Sequence, residues 1–134
     1  MHQRAQQWLA DYCKQLGVPK VPSAGAVFEV RQGYKSKDSK RQNADIDNAT
    51  VAWSHDYLPV FAIFSSQIDA DIVLRYRNSR CGILTGVRGS GPFDSLYDFM
   101  EAIVGYDLAG FFEANSATIR SEIEAVLTTL LQPE

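Results

Sequence analysis

The chain has 134 residues, of which 46% are hydrophobic and 22% charged, with a formal net charge of −3 at pH 7. This length is typical of one domain, and the composition excludes a disordered chain because enough apolar surface is present for a core. No apolar run is long enough to cross a bilayer or serve as a signal peptide, so we expect a single soluble domain, 1–134, in the cytoplasm, with Cys13 and Cys81 as reduced thiols.

The first part of the chain predicts a helix, a strand and a second helix. Residues 3–16 place apolar side chains at helical spacing, and residues 26–31 (AVFEVR) have the composition of a strand. Asp38 or Ser39 can cap the second helix, which we expect to end at Pro59. The predicted apolar face of that second helix comprises Ile46, Ala49, Trp53 and Tyr57.

The middle of the chain predicts the centre of a sheet. Residues 60–64 (VFAIF) form a continuous apolar run, which is typical of a strand covered on both faces. We therefore expect the central strand here, flanked by the strands at 27–31 and 81–85. Residues 68–77 between them return to helical spacing.

The C-terminal part is predicted to be helical. Pro92 suits the first turn of a helix that ends near Gly105, and further helices are expected over 108–113 and 117–132. The order of elements alternates helix and strand, which favours a layered α/β arrangement. We therefore predict an α/β fold with a small mixed or parallel central sheet, helices on its faces and a helical C-terminal region.

A strand-to-helix junction, residues 29–42, is the segment best suited to chemistry. Glu29 and Arg31 share one face of the predicted strand because side chains alternate along a strand. A carboxylate can hold a divalent ion, and a cation beside it can stabilise the charge that develops in phosphodiester hydrolysis. We predict both residues as catalytic and Glu29 as the metal ligand. An edge strand with a Glu–Arg pair and a solvated basic loop remains the structural alternative.

The cations of this junction predict contacts with phosphate. Five cations and one anion lie between residues 31 and 41, and a helix that begins near Ser39 directs backbone N–H groups at an anion. Two amide side chains that follow are suited to reach a base edge. The predicted DNA-binding residues are Lys35, Lys37, Lys40, Arg41, Gln42 and Asn43.

Glu-x-Arg before a basic helix, with the later strands VFAIFSSQID and GILTG, resembles the PD-(D/E)XK nucleases. More narrowly, residues 28–112 resemble the C-terminal part of ApaLI-like type II restriction endonucleases. The segments that carry this resemblance are EVRQGYKSKDSKRQNADI, YLPVFAIFSSQID, LRYR and GYDLAGFF. The resemblance implies a restriction-endonuclease-like core, whole or truncated, with double-stranded DNA as the substrate, Mg²⁺ as the cofactor and a homodimer as the assembly.

Two features depart from the pattern of these nucleases. Their first carboxylate precedes the Glu-x-Lys motif on a hairpin strand, whereas Asp11, the only upstream aspartate, falls in a predicted helix. Arg31 replaces their lysine and cannot act as a base, because it stays protonated. We therefore predict a nuclease-like DNA-binding protein with little or no cleavage by this chain alone. A non-catalytic homo-oligomeric binding protein that reuses the fold is the alternative.

Overall fold

A computed structural model of the chain describes residues 2–32, 39–108 and 110. Three strands form one parallel sheet in the order β1–β2–β3. The strands are β1 (Gly25–Arg31), β2 (Tyr57–Ile63) and β3 (Gly82–Leu84). The α/β prediction is confirmed, and the run at residues 60–64 does contribute the central strand.

Helices cover both faces of this sheet. They are α1 (His2–Leu16), α2 (Ser39–Ser54), α3 (Ala70–Asn78) and α4 (Leu96–Phe99), the last continued by a π-helical turn, Met100–Val104. On one face α2 and α3 pack against Phe61, Ile63 and Ile83. On the other, α1, α4 and the π-helical turn enclose Leu58 and Val60. Within the described ranges, no helix has both the length and the hydrophobicity that crossing a membrane requires.

The central position of β2 explains its composition. Every residue of β2 after Tyr57 is buried, because helices cover both of its faces and a strand lies on each side. Pro59 is unusual in such a strand because it has no N–H to donate to the sheet. It pairs with Val27 of β1 and precedes Val60, where the pairing with β3 begins, so only one neighbouring strand is present at the proline.

Helix α2 ends earlier than the sequence predicted. We expected Tyr57 on its apolar face, but α2 stops at Ser54 and Tyr57 is the first residue of β2. Asp56 reverses the chain in a left-handed conformation, with φ of 62°, which a helix cannot continue through. The helix expected from Pro92 begins later, at Leu96, behind an N-capping Ser95. Of the helices expected over 108–113 and 117–132, all but residues 108 and 110 lie outside the described residues.

Candidate functional site

Glu29 and Arg31 lie together on the face of β1 that α2 and α3 cover. The Nη2 atom of Arg31 donates to Oε1 of Glu29 at 2.7 Å. The side chain of Arg31 is 11% exposed, whereas that of Glu29 is 46% exposed and reaches solvent. The alternation of side chains along the strand therefore does bring these two residues into contact, with the carboxylate outside and the guanidinium inside.

Asp45 of α2 is the principal partner of Arg31, and the sequence analysis did not identify it. The guanidinium donates from Nη1 to Oδ2 at 2.6 Å and from Nη2 to Oδ1 at 2.5 Å, which is a bidentate pair. The hydroxyl of Tyr76 in α3 donates to the same Oδ2 at 2.5 Å. Phe61 of β2 lies beneath the guanidinium, whose central carbon is 5.7 Å from the ring centroid. We call Glu29, Arg31, Asp45 and Tyr76 the arginine cluster.

The protonation states of this cluster follow from its burial. Burial alone would lower the pKa of Arg31, but the hydrogen bonds and charges of Asp45 and Glu29 outweigh it, so the pKa lies above its ordinary value. Burial raises the pKa of Tyr76 far above its ordinary value, although the charge of Arg31 acts in the opposite direction. Arg31 is therefore charged and Tyr76 neutral, which makes both of them donors to Asp45.

An open, polar cleft adjoins the arginine cluster where β1 ends. Its volume is about 540 Å³, and it is lined by Glu29, Arg31, Gln32, Arg41, Ala44, Asp45 and Asn48. In open α/β sheets, ligands bind beyond the carboxyl ends of the strands, which is where Gln32 and the first turns of α2 lie. Arg41 is exposed at this cleft and brings a cation to its rim.

The other predicted DNA-binding residues are placed unevenly. Gln42 is buried and Asn43 exposed, and both side-chain carbonyls accept from Arg75 of α3, at 2.8 Å and 2.5 Å. Lys40 is the second residue of α2, and Lys35 and Lys37 lie outside the described residues. The structure thus groups Gln42 and Asn43 with a cation of α3, while Arg41 faces the cleft.

The helical spacing of the inward residues could have identified Asp45 from the sequence, but we had predicted a different face of α2. The inward residues of α2 are Gln42, Asp45 and Ala49, which recur at helical spacing, whereas Ile46 is only partly buried. The predicted face was therefore rotated by about one residue toward the apolar side chains. A buried aspartate needs a cation, and Arg31 was available for that role.

The arginine cluster contains two carboxylates but does not form a metal site by itself. Both oxygens of Asp45 already accept hydrogen bonds, from Arg31 and Tyr76, so its lone pairs are directed away from an added ion. Among residues 2–32, 39–108 and 110, no group of three His, Cys, Asp or Glu side chains is placed to hold a metal ion. Glu29 is the member of the cluster whose carboxylate is open to solvent.

Comparisons of the chain with protein-family models, with curated proteins and with solved structures found no match. The resemblance to ApaLI-like restriction endonucleases therefore stays a prediction.

Proposed function

We propose that this chain is a cytoplasmic, nuclease-like protein that binds double-stranded DNA through the polar cleft at the end of β1. The observation that carries the proposal is the position of Arg41, exposed on a polar cleft at the carboxyl end of the strand, at the start of a 16-residue helix. This is the place in an α/β sheet where anions are commonly bound. Lys35, Lys37 and Lys40, which precede Arg41 in the sequence, supply further charge for phosphates.

In this proposal Arg31 organises the cleft and does not contact DNA. Its single positive charge is shared between the carboxylates of Glu29 and Asp45, so no excess positive charge is left for a phosphate. The attraction for the DNA backbone therefore comes from the cations at residues 35–41. Nonspecific affinity of this kind falls with salt, by about 0.9 logarithmic units per phosphate contact for each tenfold increase in salt.

The salt dependence of DNA binding tests the proposal. Duplex DNA of mixed sequence is titrated with the protein at several salt concentrations, and the slope of log K against log salt is measured. The triple variant Lys37→Ala, Lys40→Ala and Arg41→Ala is expected to flatten the slope by up to about three units. The control variant removes Arg4 and Lys14, two exposed cations of α1, and is expected to keep the slope. An unchanged slope in the triple variant, or no affinity at low salt, contradicts the proposal.

Hydrolysis of the phosphodiester is the second and separate part of the proposal. Glu29 would hold Mg²⁺ through its exposed carboxylate, and a homodimer would supply the further ligand that Asp45, bound to Arg31, does not offer. We expect little cleavage of plasmid DNA by the isolated chain in Mg²⁺ or Mn²⁺. Any cleavage that occurs is expected to disappear in Glu29→Ala and to persist in Glu101→Ala, a control at an exposed glutamate of the π-helical turn. Cleavage that survives Glu29→Ala rules out Glu29 as the metal ligand.

A non-catalytic homo-oligomer is the second candidate, and an apolar groove between β1 and α2 favours it. Val27 is 44% exposed and Val51 is 58% exposed, and both line this groove. Adjacent exposed apolar side chains are typical of surfaces that a partner covers, here a second copy of the chain. Sedimentation velocity on the wild type and on Val51→Lys tests this candidate: a dimer that dissociates in the variant supports it, and a monomeric wild type excludes it.

A further inference from the structure

A separate pocket lies at the end of the sheet opposite the polar cleft. Its volume is about 390 Å³, and we call it the amino-end pocket because its residues precede the three strands in the sequence. It is lined by Val18, Pro19, Lys20, Trp53, Ser79 and Arg80. None of these residues lines the polar cleft, and α2 separates the two sites, with Arg41 near its start and Trp53 near its end.

Two cations at the amino-end pocket lack a carboxylate partner within the described part of the chain. Lys20 and Arg80 are both exposed, and neither forms a salt bridge with a described residue. Hydrogen bonds from Ser23 are the main reason that the pKa of Asp56 lies below its ordinary value, and the nearby charge of Lys20 contributes less. One oxygen of Asp56 accepts from both the backbone N–H and the hydroxyl of Ser23, so this carboxylate is directed at the loop before β1.

The backbone at Arg80 supports a role for its side chain. Arg80 has a φ of 60° and follows Ser79, the C-capping residue of α3. Helices commonly end in this left-handed conformation on a glycine, because a Cβ atom is disfavoured there. With arginine at this position the backbone is strained, but a guanidinium is placed at the pocket. A glycine would relieve the strain and would bring no side chain to the pocket. Strained backbone of this kind concentrates at ligand sites.

The C-terminal end of α3 repels an anion only weakly. A helix C-terminus carries about half a negative charge on its unpaired carbonyls. In α3 the carbonyls of Arg75, Tyr76 and Arg77 accept from the backbone N–H groups of Ser79, Cys81 and Arg80. The two full positive charges of Lys20 and Arg80 therefore lie near a helix end whose last carbonyls are already hydrogen-bonded.

We propose that the amino-end pocket binds a small anion that carries a planar ring, of the chemical class of nucleoside monophosphates. The partly exposed Trp53 and the neighbouring Pro19 offer an apolar wall for the ring. Lys20 and Arg80 receive the phosphate, and the guanidinium forms charge-assisted hydrogen bonds with its oxygens. The pocket volume is within the range of pockets that hold small ligands.

The test is titration calorimetry of the full chain with AMP, with adenosine and with inorganic phosphate. AMP is expected to bind, and each of the other two probes is expected to bind at least about tenfold more weakly because it lacks either the charge or the ring. Fluorescence provides a second measurement, since AMP stacked on Trp53 quenches its emission and the variant Trp53→Phe removes that quenching. Trp8 is 2% exposed and serves as the unquenched reference.

Two variants locate the anion. Arg80→Gly removes the guanidinium and suits the left-handed backbone, so the fold is retained and AMP binding is expected to weaken about tenfold. Lys20→Ala is expected to have a similar effect, while Lys14→Ala, at an exposed lysine outside the pocket, leaves the affinity unchanged. Absence of AMP binding, equal binding of adenosine or phosphate, or full affinity in the Arg80→Gly and Lys20→Ala double variant overturns the proposal. These results are independent of DNA binding at the polar cleft.

Discussion

Replacement of Asp45 by asparagine tests how the arginine cluster joins β1 to α2. Asparagine keeps the size of the side chain and an acceptor for the Tyr76 hydroxyl, but removes the charge that balances Arg31. Glu29, on the solvent side of the cluster, then remains as a carboxylate partner of Arg31. Breaking a buried ion pair by removing one partner costs about 3–5 kcal/mol. Because Glu29 still compensates part of the charge, we expect Asp45→Asn to lower the free energy of unfolding by about 3 kcal/mol.

Urea denaturation followed by circular dichroism measures this loss, and the other members of the cluster provide controls. Glu29→Gln removes the exposed partner and is expected to cost less than about 1 kcal/mol. Tyr76→Phe removes one buried hydrogen bond and leaves the ion pair intact, so we expect a loss of about 1 kcal/mol. Whole domains are stable by only about 5–15 kcal/mol, so the Asp45 effect is large enough to measure.

The double variant Arg31→Met and Asp45→Leu tests whether the loss of stability in Asp45→Asn comes from the unbalanced charge of Arg31 or from altered packing. Replacing both charges by apolar side chains of similar size is often close to neutral, because no unpaired charge is left buried. Glu29, the third charge of the cluster, lies on the solvent side. We therefore expect the double variant to be more stable than Asp45→Asn. The reasoning is refuted if Asp45→Asn is as stable as Glu29→Gln, or if the double variant loses as much as its two single changes together.

Three further predictions concern the rest of the molecule. Burial raises the pKa of Tyr12 to about 12 from an ordinary value of 10.0. The neutral phenol of Tyr12 therefore contributes fully to the free energy of unfolding below about pH 10, and this contribution, about 3 kcal/mol, is lost as the pH approaches 12. Between these pH values the urea midpoint should fall less steeply in Tyr12→Phe than in the wild type. A Cβ atom on Gly86 would overlap the carbonyl of Phe64, whereas one on Gly89 would meet open space and suffer only from its φ of +85°, so Gly86→Ala should lower the melting temperature more than Gly89→Ala does. Arg80→Gly should raise the free energy of unfolding by about 1 kcal/mol because it relieves a left-handed conformation, and an unchanged urea midpoint would show that no strain is present.

The architecture was predictable because burial leaves a direct trace in sequence. The continuous apolar run at residues 60–64 is typical of a strand covered on both faces, and its first four residues lie in β2, which is such a strand. The end of α2 was harder to predict from the sequence, because Tyr57 continues the helical spacing of Trp53. The helix is interrupted between them by Asp56, which has a left-handed backbone conformation. An aspartate in that conformation has no distinctive sequence pattern, unlike the glycine that more often occupies it.

The candidate site was predictable only where neighbours in sequence are neighbours in space. Strand alternation placed Glu29 beside Arg31, and the structure has them 2.7 Å apart. Asp45 of α2 binds the guanidinium of Arg31, and the hydroxyl of Tyr76 in α3 donates to the same carboxylate. Asp45 and Tyr76 lie 14 and 45 residues after Arg31 in the sequence, and local sequence patterns do not predict the packing of α2 against α3 that brings them together. The partnership of Gln42 and Asn43 with Arg75 depends on the same packing of α2 against α3.

The arginine cluster bears on the relation between stability and catalysis at this cleft. A nuclease site of the proposed kind needs carboxylates whose lone pairs are free to hold Mg²⁺, yet Asp45 directs both of its oxygens at Arg31 and Tyr76. Releasing Asp45 for a metal would leave the charge of Arg31 buried and only partly balanced, with the cost of about 3 kcal/mol estimated above for Asp45→Asn. The ion pair that fastens β1 to α2 therefore opposes metal binding by the same carboxylate. Binding of DNA by the cations around Arg41 has no such conflict, because it leaves the cluster intact.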